Sequence, residues 1–361
     1  MHRYPQFTSR FNYKAYFEGL IENTKENRQQ LFNYVANEVN ELNKTSAKNG
    51  KKEVPHFSKD AVISVIEHMA REHNQKYLMF DLRKVKRLVK KSANNACKNN
   101  SDLTRRLDVA NVLKKDEDSL YRRYMTDEFK DDKIQIDLKG SKVGQINGLA
   151  YAGEIGYPMQ TIVITDKLPE KGINIFNLEG EKLSGPTWNK GIMLADAYLT
   201  ELFKRYGKGD IGVNIAVTSP ENWYGIDGPS ASAAITYAIL SSMSEIPINQ
   251  GICVTGALKP NGDITAVGGL NEKIEGAYYI SKNKLGKLNG EQGVLIPYVN
   301  IIDCNLKDEV LEDIEKGRFN VYYHKNIDDG LRLLMGKTKE EILERAFRNY
   351  WITKRKPKKR K

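Results

Sequence analysis

The stretch WYGIDGPSASAAITYAIL, residues 223–240, decides how the second half of this chain reads. Asp227-Gly228-Pro229 makes a tight turn. Pro229 suits the first position of a helix, where its missing N–H would be unpaired anyway. Ser230 follows, flanked by Ala231, Ser232, Ala233 and Ala234. Small side chains let another backbone, such as an extended substrate, come close. Peptide N–H groups at a helix start are unpaired and point outward, so they can stabilise an oxyanion. A serine there is suited to acyl chemistry, although the same position is also an ordinary N-cap.

Outward from this stretch, the chain from about residue 133 alternates two patterns. KIQIDL, QINGLAYA, QTIVIT, GVNIAVT, GICVTG and GVLIP are short β-rich runs bounded by Gly, Pro, Asn or Asp. TWNKGIMLADAYLTELFKRYG, PSASAAITYAILSSMSE, GLNEKIEGAYYISKN and IDDGLRLLMG carry helical periodicity between them. Such alternation predicts a mixed α/β domain. Residues 1–130 instead read as helices. Leu31, Val35, Val39 and Leu42 recur at helical spacing, and TSAKNGKKEVP (45–55) ends that helix. Ser58 suits an N-cap, with Asp60 in the first turn, ahead of Val62, Val65, Ile66 and Met69. A third helix is expected through DLRKVKRLVKKSANNA and a fourth across RRYMTDEFKDD. The expected plan is a helical region over 1–130, an α/β domain over 131–345 and a basic, disordered tail over 346–361.

Composition narrows the function classes. The 361 residues are 40% apolar, and no run approaches the roughly 18–20 apolar residues that span a bilayer. The N-terminus, MHRYPQFTSRFNYK, lacks the apolar region of a signal peptide. Three scattered cysteines, Cys97, Cys253 and Cys304, argue against a disulfide framework and fit a reducing cytosol. The five histidines have no metal-ligand spacing with them, so no metal site is expected. The net charge is +11, and the terminal KRKPKKRK holds seven positive charges. A tail of that kind is solvated, or contacts nucleic acid or anionic lipid. No G-x-x-x-x-G-K-[ST] loop occurs anywhere, so the chain has no phosphate cradle of that type.

A serine nucleophile needs a base. Beyond residue 74 the only histidine is His324, in VYYHKN, and nothing in the sequence arranges it with an acid near the serine. The other solution is a lysine kept neutral by desolvation or positive surroundings. Lys273, in VGGLNEKIEGAYY, falls in the first helical turn after Gly268-Gly269, where the helix macrodipole disfavours a cation.

YGIDGPSAS, ICVTGAL and ITAVGGLNEKIEGA together resemble the proteolytic domain of the Lon protease family. That family has a D-G-P-S-A serine motif, a strand ending in T-G and a G-G-x-x-x-K lysine motif, and the interval from 230 to 273 is also the family's. VGQINGLAYAGEIGYPMQTIVIT resembles the domain's opening hairpin, and GVLIPYVN its strand with an I-P-x-x-N ending. The resemblance implies an α/β (α+β) Lon-type peptidase domain of the ribosomal-protein-S5-domain-2-like class over 131–345. It implies Ser230 as nucleophile and Lys273 as general base. Thr255 matches a threonine whose hydroxyl bonds the lysine amine, and Asp227 an acid that shapes the serine loop. Ser232 departs from the family's commoner glycine.

The helical region resembles the small lid of the AAA+ module in B-type Lon proteins. Arg10 and Arg83 fall near that module's arginine finger and its nucleotide-sensing lid arginine. The module's core, with both Walker motifs, is absent from these residues. The resemblance therefore implies a serine endopeptidase acting on unfolded or threaded polypeptides, assembled as a homo-oligomeric ring, a hexamer, in the cytoplasm. It implies no cofactor in this chain, and ATP-Mg only where an AAA+ core is supplied upstream or by a partner. The rival readings are an ATP-independent Lon-like peptidase and a non-catalytic Lon-like domain serving assembly or nucleic-acid binding.

Overall fold

A computed structural model describes residues 20–50, 52–70, 77–79, 81–124, 136–152, 155–178, 185–206, 210–219 and 228–352. The chain divides into two compact units, residues 1–119 and 120–361. The first is helical: α1 (Lys25–Lys48), α2 (Lys59–Ala70), α3 (Leu82–Lys98) and α4 (Arg106–Tyr124), the last running past the division. Each of the first three starts where a side chain takes an orphan N–H. Thr24 accepts from Asn27, Ser58 from Ala61, and Asp81 from Arg83 and Lys84. The expected apolar stripes meet in one core, with Leu31, Val35 and Val39 against Val62, Val65, Ile66 and Met69. The fourth helix begins much earlier than RRYMTDEFKDD suggested. Val109 and Val112 bury in that core, a periodicity obscured by the charged run KKDED that follows. Residues 125–132 lie outside the described ones.

The second unit is built on a seven-stranded sheet. Its strands are β1 (Gln145–Ala152), β2 (Ile155–Lys167), β3 (Gly172–Asn177), β4 (Gly212–Thr218), β5 (Ile252–Val254), β6 (Gly293–Pro297) and β7 (Asn320–His324). Their spatial order is β7-β6-β5-β1-β2-β4-β3. Only β2 runs against the other six. KIQIDL adds no strand over Ile136–Leu138. Those carbonyls are held by side-chain amides instead, Asp137 by Asn147 and Leu138 by Gln292. Residues 133–135 lie outside the described ones.

Strand alternation sends side chains to two cores. Ile252, Val254 and Leu295 face one, with helices α5 (Pro186–Tyr206), α6 (Ser232–Ser244), α9 (Ile327–Met335) and α10 (Lys339–Tyr350). Cys253, Val294 and Ile296 face the other, with α7 (Leu270–Leu285) and α8 (Asp308–Glu315). Nearly every residue of helix α6 is buried, its Ser and Thr side chains included, so it is the centre of the first core. Helix α10 overturns the expectation of a tail from residue 346. Ala346, Phe347 and Tyr350 continue the stripe begun by Ile342 and Leu343 and bury with it. Residues 353–361 lie outside the described ones.

Helix α7 lies directly on the backbone of β2. A Cβ at Gly276 would overlap the Gly156 carbonyl, and one at Gly156 would overlap the Glu272 carbonyl. Elsewhere in a helix Gly→Ala gains about 0.5–1 kcal/mol. Here overlap with rigid backbone outweighs that gain. Gly276→Ala is expected to destabilise the domain by about 2–4 kcal/mol, read as a lower urea midpoint with unchanged slope. A raised midpoint would contradict the contact.

Candidate active site

Two helices on opposite faces of the sheet start near the end of one strand, β5. Ser230 sits in the 3-10 turn Pro229–Ala231 that leads into α6. Lys273 sits in the first turn of α7. Thr255 directly follows β5. At that end the Lys273 Nζ lies 3.3 Å from Ser230 Oγ and 3.3 Å from Thr255 Oγ1. Two residues named from sequence, 43 and 18 positions before Lys273, are thus within hydrogen-bond distance of its amine. Asp227 lies outside the described residues, as does Arg10. Arg83 is exposed at the start of α3 with its Nε 3.7 Å from Asp81.

The amine is placed by packing from several sides. Helix α7 opens at Gly269, whose φ of +65° favours glycine and whose Cβ would run into the Tyr151 ring. The same ring has its centroid 5.9 Å from Nζ. Next to Gly269, the side-chain amide of Asn300 brackets Val267: its Oδ1 accepts from the Val267 N–H and its Nδ2 donates to the Val267 carbonyl. Asn271 and Glu275, on α7 itself, hold the segment after Asn300 through Asp303, Asn305 and Lys307. Tyr151 and Asn300 were not singled out from sequence as site residues. The N of I-P-x-x-N was the available signal for Asn300, while an exposed-looking tyrosine in a strand gave none for Tyr151.

Burial sets the electrostatics. Lys273 is 2% exposed. Desolvation pushes its amine down from 10.5 to about 8, against an opposing pull from the Glu272 carboxylate. The amine opens onto a cleft of about 340 Å³ whose walls include Leu149, Tyr151, Tyr157, Met159, Pro229 and Val267. Apolar side chains share those walls with exposed polar groups, and Ser230 and Lys273 are on the lining. His324 does not join the pair. Its Nε2 lies 3.1 Å from the Thr255 carbonyl and its Nδ1 3.0 Å from the Tyr237 hydroxyl. Among the described residues, no group of three or more His, Cys, Asp or Glu could hold a metal ion, and no helix is long and apolar enough to cross a membrane.

Residues 117–337 match the Lon protease (S16) C-terminal proteolytic domain, and the chain belongs to the Lon protease family. It is 30% identical over 353 residues to the archaeal Lon protease of Archaeoglobus fulgidus, covering 94% of this chain and 53% of that protein. Against the archaeal Lon protease of Pyrococcus abyssi the identity is 30% over 347 residues, 93% of this chain and 31% of that one. A putative Lon protease homolog of Escherichia coli K12 is 31% identical over 216 residues, 58% of this chain and 36% of the other. The chain thus spans between about a third and about half of the length of these relatives.

A buried lysine costs stability. Its folded pKa lies below its ordinary value, so unfolding takes up a proton between about pH 8 and 10.5. The cost is full below pH 8, on the order of 3 kcal/mol, and fades as pH rises to 10.5. Lys273→Met keeps the length and removes the charge. It is expected to raise Tm at pH 7 by about 5–10 °C and by far less near pH 10.5. Equal Tm values at pH 7 would contradict the desolvated amine.

Proposed function

We infer that this chain is a serine endopeptidase in which Ser230 is the nucleophile and Lys273 its general base. The observation that carries the reading is the 2%-exposed Lys273 amine, 3.3 Å from the Ser230 hydroxyl at the wall of an open cleft. An amine with a pKa of about 8 is partly neutral at mildly alkaline pH, and a neutral amine has a lone pair to take a proton. One of its N–H groups donates to Thr255 Oγ1, and the Ser230 hydroxyl stands 3.3 Å from Nζ, within reach of that lone pair.

The reaction follows from these atoms. Lys273 Nζ accepts the Ser230 hydroxyl proton as Oγ bonds to the peptide carbonyl carbon. The carbonyl oxygen becomes an oxyanion, held by backbone N–H groups of the turn that opens α6. The tetrahedral intermediate collapses, the C–N bond breaks, and the lysine ammonium returns its proton to the leaving amine. Water, deprotonated by the same lysine, then attacks the acyl-enzyme and releases Ser230. The open cleft, lined by both apolar side chains and polar groups, favours an unfolded polypeptide that can lie along it.

The relatives' names and the helical unit favour a place within a larger Lon machine, with the helical region read over 1–130 as a lid and any ATP-driven unfolding supplied from outside these residues. Ring assembly, hexameric by family likeness, belongs to the same reading.

Ser230→Ala is expected to abolish casein and peptide cleavage by several orders of magnitude with the fold unchanged. Lys273→Arg is expected to be nearly inactive, because a guanidinium does not release its proton. For wild type, kcat/KM should rise with pH through one ionisation near 8. Residual cleavage within about tenfold of wild type in either variant would overturn the dyad.

Pure chain should show no ATP turnover, and ATP should not stimulate small-peptide cleavage, because the sequence has no G-x-x-x-x-G-K-[ST] loop to hold the phosphates. Turnover that survives removal of contaminating ATPases would overturn the assignment of the helical unit.

A further inference from the structure

Thr255 and Gly256 form a two-residue joint between the three site elements, and the partners of their backbone groups can be counted. The Thr255 N–H donates to the Leu295 carbonyl of β6. The Gly256 N–H donates to the Ser230 carbonyl, and the Gly256 carbonyl accepts from the Ala233 N–H of α6. The remaining group is the Thr255 carbonyl, and the ring of His324 takes it.

His324 ends β7, two strands away from β5, and is fully buried. A carbonyl only accepts, so Nε2 carries the proton and Nδ1 is the acceptor side. Nδ1 accepts the one proton of the Tyr237 hydroxyl at 3.0 Å, so the Ile327 carbonyl, also 3.0 Å from that hydroxyl, does not share it. Tyr237 stands seven residues after Ser230, two turns along the helix that Ser230 introduces. The contacts therefore close a circuit: Ser230 to Lys273, Lys273 to Thr255, Thr255 to His324, His324 to Tyr237, and Tyr237 back along α6. The imidazole also fills the space beside Gly256, where a Cβ would come within 2.9 Å of Nε2.

We propose that His324 is a positioning residue: its Nε2–H holds the Thr255 carbonyl, and through Thr255 it fixes where the Lys273 amine points. The proposal rests on the Ser230–Lys273 reading. Threonine is β-branched and stiff at χ1, so fixing its backbone largely fixes Oγ1. Oγ1 in turn holds one N–H of the amine. Burial keeps the imidazole neutral, pushing it down to about 4, well below the range in which Lys273 titrates. His324 touches none of the reacting atoms and so acts through position alone.

The test measures kcat, KM and thermal melting for peptide cleavage by the 361-residue chain. Its variants are His324→Leu, His324→Gln, Tyr237→Phe and Thr255→Ala, the pairs of His324→Leu and Tyr237→Phe with Thr255→Ala, and Lys273→Arg. Leucine fills the space without a donor, whereas a glutamine amide can offer an N–H near the Nε2 position. His324→Leu is expected to lower kcat about 10–100-fold with KM within about twofold of wild type. His324→Gln should recover most of the loss. In the Thr255→Ala background, neither His324→Leu nor Tyr237→Phe should lower kcat further, because both act through Thr255.

Folded His324→Leu with wild-type kcat, a glutamine variant as poor as the leucine one, or losses that multiply with Thr255→Ala would each overturn the positioning role. Should His324→Leu not fold, Tyr237→Phe decides: an equal loss in both backgrounds overturns the proposal, and a loss confined to the Thr255 background supports it. Full activity in Lys273→Arg would overturn the dyad itself, and the positioning role with it. Inactive Lys273→Arg beside a fully active His324→Leu would overturn the positioning role alone.

Discussion

The site depends on removing one ammonium group from water. A lysine amine is a strongly hydrated point charge, and burial disfavours its charged form more than its neutral one. Lys273 is 2% exposed, so the same packing that strips its hydration makes it a base near pH 8. Two hydroxyls, from Ser230 and Thr255, stand within hydrogen-bond distance of the stripped amine. The Glu272 charge pulls the other way and loses to desolvation.

That burial explains several otherwise separate features of the domain. Helix α7 must lie close on β2, which is why glycines face each other at 156 and 276. The segment after β6 is tied to the residues just before α7, where the Asn300 amide bonds both backbone groups of Val267. The sheet brings the ends together: α6 and α7 cover opposite faces, and both helices begin near the end of β5. Crevices at strand ends are where α/β sheets generally bind ligands.

Much of this was legible in the sequence because the information was local. Pro229-Ser230 beside a run of small residues marked the serine turn, and Gly268-Gly269 marked the turn before Lys273. The lysine was singled out by its resemblance to the family's G-G-x-x-x-K motif and that motif's interval to Ser230, and no property of the lysine itself gave its burial. Thr255 was legible through the T-G strand end. Longer-range contacts were not. Tyr151 and Asn300 act from segments over 100 residues and about 30 residues away from Lys273; the I-P-x-x-N ending marked Asn300 only as part of a strand end, and nothing around Tyr151 signals its contact. His324 was noticed only as a poor candidate for a base. Its contacts with Thr255 and Tyr237 depend on how β7 lies in the sheet, which no local pattern specifies. The same limit explains KIQIDL, whose alternation reads as a strand although side-chain amides hold its backbone. It also explains α10, whose apolar stripe ends just before a strongly basic terminus.

The central claim is that burial alone makes Lys273 a base, and it can be read without any substrate. The measurement is an NMR titration of the protein with 13C-labelled lysine side chains, the Lys273 signal being assigned by its loss in Lys273→Arg. One lysine should titrate with a midpoint near 8, well below the roughly 10.4 of an ordinary lysine. If the Lys273 signal titrates with the rest, the amine is hydrated and the account is wrong.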